Sequence, residues 1–477
     1  MFETGVRQFR MAMSMVRGRR LNTRNLGRLV EDALTTLAEF GEPGADVQQI
    51  VDGPASDPQA RLQLANQGIR HTAARLAAQS PFYARRFEAA GVRPDRLDVA
   101  GLGAIPVTVK NDLIARPAEF QCGDVARHLS TRTTGTTGRP AEIWLSRYEM
   151  ELWPALIALS GVLRDDLRPS DVMQVNISSR QTAAVHLDVA SCRLVGAGCR
   201  VLGVVPVDEA LDALADGGST LLSASPSYLA EMLVAARRRG LGPGDFRLRG
   251  IQAGGEVLSP SVAAAVRETF GVPEISDNYG MTEVIPVAAR SCGQGHLHHD
   301  LTTGLVEYLD IETAEPAAPG ALATIVITPF FPYRDCMPVL RYDTRDMVRM
   351  LPDEPLTCEL AAVPATSHLL GKADHLMRLG SSTVITPRQL VEAVEALPTR
   401  PWPARFRADV HNGRIRLTLP TAAIAGLGEA AAGRRLADLG LDVDLVIVGD
   451  DQARSLRPVR SDLHERTFVA GPALIGA

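Results

Sequence analysis

Short apolar runs alternate with longer amphipathic segments from about residue 126 onward, which predicts an α/β protein with a largely parallel sheet. Two further observations shape that prediction. The chain has 477 residues, whereas single cores stop growing at roughly 250–300. After Asp374 the pattern changes to a short α/β stretch of its own. The sequence therefore predicts two domains. The large N-terminal one, residues 1–373, combines parallel sheet and helices with a small β-barrel-like subdomain. The C-terminal one, residues 374–477, is a small mobile α+β lid hinged at Asp374.

The elements follow in order. Residues 1–95 read as a helical leader, because 26–38 and 60–78 carry apolar residues three and four apart, on one helix face. Strand-like 172–177 precedes helix-like 182–195, and strand-like 200–205 precedes helix-like 207–214. The run 219–223 leads into a helix over 226–237, and 248–252 into one over 259–269. Right-handed crossovers between such βα units place the strands parallel, with helices on both faces. Between 305 and 349 the helical period stops, and 305–310, 321–328 and 347–351 are expected strands of the barrel-like part. Beyond the hinge the spacing predicts a helix over 388–397, strands near 406–411 and 414–419, another helix, and a strand over 443–448.

Composition excludes several classes. At 45% hydrophobic and 22% charged the chain has no disorder signature. A net charge of -5 provides no basic footprint for nucleic acid. No apolar run approaches the roughly 18–20 residues that span a bilayer, so no membrane partner is expected. The Arg-rich segment 1–28 lacks the apolar stretch of a secretory signal and reads as an amphipathic helix on the body of the protein. Six cysteines in so long a chain make no disulfide framework, so a cytoplasmic location is expected. Lysine is nearly absent: only Lys110 and Lys372 occur.

Five segments carry chemistry. In Thr133-Thr134-Gly135-Thr136-Thr137-Gly138-Arg139-Pro140, hydroxyls alternate with glycine, so backbone N–H and side-chain O–H groups can wrap a polyphosphate. Alone, such a loop is more often a solvated turn. Ser276-Asp277-Asn278-Tyr279-Gly280-Met281-Thr282-Glu283 offers a ring to stack on a purine, a hydroxyl for an α-phosphate and a carboxylate for Mg²⁺. Its bland counterpart is a strand-end turn before a capped helix. Ala253-Gly254-Gly255-Glu256 turns at the carboxyl end of an expected parallel strand, where α/β proteins bind ligands. In Arg341-Tyr342-Asp343-Thr344-Arg345-Asp346, Asp346 can accept hydrogen bonds from ribose hydroxyls. Gly371-Lys372-Ala373-Asp374-His375 marks the domain junction.

Taken in order, these segments resemble the adenylate-forming superfamily. Ala224-Ser225-Pro226-Ser227-Tyr228, the short Gly-Gly-Glu element and Pro106-Val107-Thr108-Val109-Lys110 are similar to its phenylacetate–coenzyme A ligase branch, over about residues 65–400. The resemblance implies ATP-dependent activation of a small carboxylic acid, aryl in the leading reading, with transfer to coenzyme A. It implies that Thr133, Thr134, Gly135, Thr136, Thr137 and Gly138 hold the β- and γ-phosphates. Gly254, Gly255 and Glu256, with Tyr279 and Gly280, would enclose adenine. Thr282 would meet the α-phosphate, Glu283 would bind Mg²⁺, and Asp346 would bind ribose, beside the Lys372–Asp374 hinge. Trp144, Ser225 and Tyr228 lie where the acid should sit. A homodimer is a common assembly of the family.

Three departures stand out. The family's tail lysine is missing; Arg460, His464 and Arg466 are the cations available to replace it, although a guanidinium is not equivalent to an ammonium. Arg345 stands where Thr-Gly-Asp is usual, and His375 where a second aspartate is common. They leave open delivery of the acyl group to an amine, another nitrogen nucleophile or a carrier-protein thiol, and also a catalytically retired nucleotide-binding homologue. Cys292, His298 and Cys358 fall where relatives carry structural zinc, with Leu356 in place of a second cysteine and His296, His299 and His368 as spare ligands.

Overall fold

The computed structural model describes residues 2–41, 51–54, 56–133, 140–178, 182–380, 383–449 and 452. Strands are numbered along the chain. An antiparallel hairpin pairs β1 (Leu129–Arg132) with β2 (Glu142–Leu145). The main sheet has eight strands: β3 (Val172–Asn176), β4 (Gly198–Val201), β5 (Leu221–Ala224), β6 (Gly250–Gly254), β7 (Glu274–Tyr279), β8 (Ala289–Ser291), β9 (His296–His299) and β13 (Ala365–Ser367). Their order is β13-β9-β8-β7-β6-β5-β3-β4. The five strands from β7 to β4 run parallel, and β8, β9 and β13 continue the sheet antiparallel.

Two of the parallel crossovers are helices with readable caps. The helix Pro226–Arg239 begins with proline at its first turn and stops at Gly240 in the left-handed conformation, and Pro260–Phe270 repeats the arrangement with Ser259 and Gly271. One face of the sheet packs on helices Val207–Ala215, Pro226–Arg239 and Pro260–Phe270 through Leu211, Leu222, Leu229, Leu233, Ile251 and Val266. The other packs on helices Arg147–Leu163 and Thr182–Val195 through Val162, Met173, Val175, Cys192 and Leu221. The expected α/β architecture is present, and Thr182–Val195 has the bounds its periodicity predicts.

A second sheet joins β10 (Gly304–Asp310), β11 (Leu322–Pro329), β12 (Tyr342–Arg349) and β14 (Gly371–Lys372), all antiparallel. Here β12 begins five residues before the expected 347, because Tyr342 and Asp343 already pair with Ile327 and Val326. Beyond it lie the hairpin β15 (Met377–Leu379)–β16 (Thr383–Ile385) and a sheet of β17 (Arg407–His411), β18 (Arg414–Pro420) and β19 (Val443–Val448). With helices Pro387–Glu395 and Glu429–Asp438 they enclose a separate apolar cluster running from Met377 to Leu441. Among the described residues no helix is long and apolar enough to cross a membrane.

Candidate active site

Three pieces of chain meet beside the carboxyl ends of β6 and β7. Strand β6 ends in Gly254, where a Cβ would come 2.8 Å from the Asn278 carbonyl oxygen, so only glycine lets β7 approach this closely. Gly255 follows at φ 82°, a left-handed turn that glycine adopts without strain. The Glu256 carboxylate turns away to accept from the Ser227 N–H at 2.9 Å, at the first turn of Pro226–Arg239, where the helix dipole favours an anion. Tyr279 closes β7 and is buried; its hydroxyl donates to Asp346 Oδ2 at 3.0 Å. Burial, reinforced by the Asp346 charge, pushes that phenol well above its ordinary range, so it stays a donor.

The opposite wall is β12. Lys372, paired with Asp346 across β12 and β14, places Nζ 2.9 Å from Asp346 Oδ1 and donates to the Thr344 carbonyl at 2.8 Å. Both Asp346 oxygens are therefore oriented by fixed donors, each with lone-pair capacity left for hydroxyls of a ligand. Next to it Arg345 takes φ 58° and donates to Asp374 Oδ1 from Nε at 3.1 Å and Nη2 at 2.8 Å, joining β12 to the segment after β14.

The third piece is the segment ahead of Lys110. Thr108 bridges β12, donating its N–H to the Arg341 carbonyl at 2.7 Å and accepting from the Asp343 N–H at 2.9 Å. Tyr83 fixes it further through the Thr108 hydroxyl at 2.9 Å. So held, Lys110 opens the helix Lys110–Ala115 with Nζ 3.8 Å from Glu283 Oε1. Glu283 is 3% exposed and also accepts from the Tyr342 hydroxyl at 3.3 Å. Burial holds the Lys110 ammonium below its ordinary pKa, opposed by Glu283 and assisted by Lys372. Thus the only two lysines of the chain converge on one site. Spacing alone gives Lys110 no role; the rarity of lysine in this chain is the signal that marks it.

Other site residues are placed as follows. Thr133 is buried and closes the β1–β2 hairpin, its N–H donating to the Ala141 carbonyl and its Oγ1 accepting from the Ala141 N–H, both at 3.0 Å. Thr134, Gly135, Thr136, Thr137 and Gly138 lie outside the described residues, as do Arg460, His464 and Arg466. Gly280 is exposed and Thr282 half-buried in the turn before Glu283. Trp144 lies on β2 under the Arg127 guanidinium, 5.2 Å from its ring centroid. Ser225 caps Pro226–Arg239, and Tyr228 is wholly buried in the helical layer, its hydroxyl donating to the Val205 carbonyl at 2.8 Å.

A second constellation lies at the end of β9. Cys292, His296, His298 and Cys358 bring one ligand atom each to within 4.8 Å of one another. His298 Nδ1 is 2.9 Å from the Val363 carbonyl, so that nitrogen is the donor and Nε2, 3.4 Å from Cys358 Sγ, is free to ligate. His296 Nδ1 is buried with no hydrogen-bond partner, an orphan that a metal would satisfy. Two thiols and two imidazoles at this separation fit tetrahedral Zn²⁺. The fourth donor, which spacing left open, is His296. His299 instead meets the Tyr308 hydroxyl, and His368 meets Ser291.

Residues 132–325 match the family described as AMP-binding enzyme. The chain is 27% identical over 364 residues to the phenylacetate–coenzyme A ligase of Thermus thermophilus, covering 72% of this chain and 77% of that one. The chain is an ATP-dependent adenylate-forming ligase similar to the phenylacetate–coenzyme A ligases. Its fold is shared with 2-hydroxyisobutyryl-CoA ligase in the postadenylation state, with a TM-score of 0.72, 18% identity, and coverage of 89% of this chain and 93% of that one. The same ligase in its thioesterification state, with 2-HIB-AMP and CoA, matches at 0.60 and 19% identity, covering 85% and 90%. An ATP-dependent adenylate-forming ligase thus has its two lysines, Glu283, Tyr279 and Asp346 gathered at one strand edge.

Proposed function

We propose that the enzyme activates a small carboxylic acid, aryl in the simplest case, as an acyl-adenylate and then passes the acyl group to the thiol of coenzyme A. One observation carries this reading: Lys110, Glu283, Tyr279, Asp346 and Lys372 converge beside the Gly254–Gly255 turn at the carboxyl ends of β6 and β7. Asp346, held by Tyr279 and Lys372, accepts the ribose hydroxyls. Gly254 and Gly255 line the adenine, and Thr282 meets the α-phosphate. Residues 133–138 wrap the β- and γ-phosphates. Glu283 is the carboxylate for Mg²⁺, which would neutralise phosphate charge when bound. Lys110 adds a fixed, partly desolvated cation on the same side, where charge develops as the acid oxygen attacks phosphorus.

In the first half-reaction the acid carboxylate attacks the α-phosphorus, the bond to the bridging oxygen breaks, and pyrophosphate leaves. In the second the thiolate attacks the acyl carbon and AMP leaves with the mixed-anhydride oxygen. Asp374 serves as the pivot between the two arrangements. The match to the postadenylation structure supports that reading, as does the Arg345–Asp374 contact at the junction. Cys292, His296, His298 and Cys358 would hold structural Zn²⁺, which would tie β9 to the segment before β13.

The experiment is mass spectrometry of thioester formed from ATP, Mg²⁺, coenzyme A and each of a panel of small acids. Acid-dependent acyl-CoA with stoichiometric AMP is the expected result. AMP formation that responds to an amine or carrier thiol but not to coenzyme A would move the acceptor to those classes.

A further inference from the structure

Strands β5, β6 and β7 are central in a parallel sheet, and such strands are normally apolar on both faces. One register row breaks that rule. Ser223 lies opposite Gln252, and Gln252 opposite Ser276. Their neighbours Leu222, Ala224, Ile251, Ala253 and Ile275 pack on the opposite face, so the polar row looks toward helix Thr182–Val195. From that helix Asp188 reaches down, and the Ser223 hydroxyl donates to its Oδ2 at 3.0 Å.

Asp188 is enclosed by protein, yet part of its surface stays accessible, as do parts of Gln252 and Ser276. Among the described residues no arginine or lysine perturbs Asp188; burial, eased by the Ser223 hydroxyl, leaves its carboxyl raised to about 7. Gln252 and Ser276 make no side-chain hydrogen bond among the described residues. An isolated buried carboxylate is costly, and that cost is recovered when a cation arrives beside it. The row lies two residues, roughly 6–7 Å, below Gly254 and Asn278, at the foot of the site proposed for the acyl-adenylate.

We propose that Asp188, with Ser223, Gln252 and Ser276, binds a basic amino group of the acid, so that the substrates are amino-carboxylic acids with the amine several bonds from the reacting carboxylate. This rests on the adenylation reading and narrows its substrate class. An unsubstituted ring would leave Gln252 and Ser276 desolvated without partners and Asp188 with the Ser223 hydroxyl alone, a mismatch that enzymes built around a polar group punish heavily.

The test is ATP–pyrophosphate exchange with acids in matched pairs, each ammonium replaced by methyl: para-(aminomethyl)benzoate against para-ethylbenzoate, and γ-aminobutanoate against pentanoate. The amino acid of at least one pair should win by about 100-fold or more in kcat/KM. Asp188→Asn should bring that ratio below about tenfold, and Asp188→Leu should favour the methyl acid. Exchange of the methyl acids by both variants shows that they are folded. Methyl acids used as well as or better than their amino partners by the wild type overturn the inference while leaving adenylation intact. So does an Asp188→Asn variant that keeps the full preference. No exchange with any acid contradicts the adenylation reading itself and this inference with it.

Discussion

Removing the Lys110 ammonium should cripple adenylation while leaving ATP bound. Lys110→Met keeps the length of the side chain and deletes one charge from a site where Nζ stands 3.8 Å from Glu283 Oε1. Two unit charges at that distance interact by about 4 kcal/mol at an effective dielectric constant of about 20. The charge that develops on the phosphate oxygens lies on the same side of the site. A phosphate charge developing at a similar distance would gain a comparable amount, and if about 3 kcal/mol of it is specific to the transition state, the rate falls by roughly 100-fold. The assay is acid-dependent pyrophosphate exchange, with ATP affinity followed separately by calorimetry. Lys110→Arg should recover only part of the loss, because a guanidinium fork is bulkier and more diffuse. Alanine at Arg460, His464 and Arg466 completes the set: a large defect at one of them assigns the tail a share of the charge. Exchange by Lys110→Met within twofold of wild type would refute the reasoning.

Three other outcomes follow from the same geometry. Asp346→Ala should weaken ATP binding by roughly 1.5–3 kcal/mol, because its hydrogen bonds involve a charged group, and unchanged calorimetric affinity would make Asp346 purely structural. Protein purified without added metal should contain one zinc by elemental analysis and lose it in His296→Ala; metal-free, well-folded protein would remove the site. Asp188, with its carboxyl raised to about 7, is protonated in the native state across a window where the unfolded chain has already lost that proton, so stability should fall as pH rises from about 4 to 7. Asp188→Asn should abolish that fall, worth ~2–4 kcal/mol, in denaturant titrations.

The fold was legible wherever a period could run. Helix Thr182–Val195 and strand β19 carry enough residues to display theirs, and their bounds coincide with the expected ones. Strands β8, β9 and β13 hold three or four residues each, several of them histidine or arginine, and no period can be read from so few. The start of β12 was hidden for another reason. The segment Arg341 to Asp346 reads as a ribose-binding motif, whereas Tyr342 and Asp343 pair with β11 and Asp346 pairs with β14 while facing the site. Spacing could name Tyr279, Glu283, Asp346 and Lys372 because each sits in a short motif. It could not pair Lys110 with Glu283, which only the Thr108–β12 bridge brings together. Nor could it choose among the spare histidines, since only the fold around β8 and β9, strands the pattern did not reveal, gathers His296 with Cys292, His298 and Cys358. Asp188 was missed because a lone acidic residue on an amphipathic helix looks solvated until the register of Ser223 is known.

The central claim is that this site makes an acyl-adenylate, and acid-dependent exchange of labelled pyrophosphate into ATP measures that step alone, without any acceptor. The account predicts Mg²⁺-dependent exchange with at least one small carboxylic acid, reduced by orders of magnitude in Glu283→Gln at intact fold. Tight ATP binding with no exchange across acids of both amino and methyl series, or full exchange by Glu283→Gln, would contradict it.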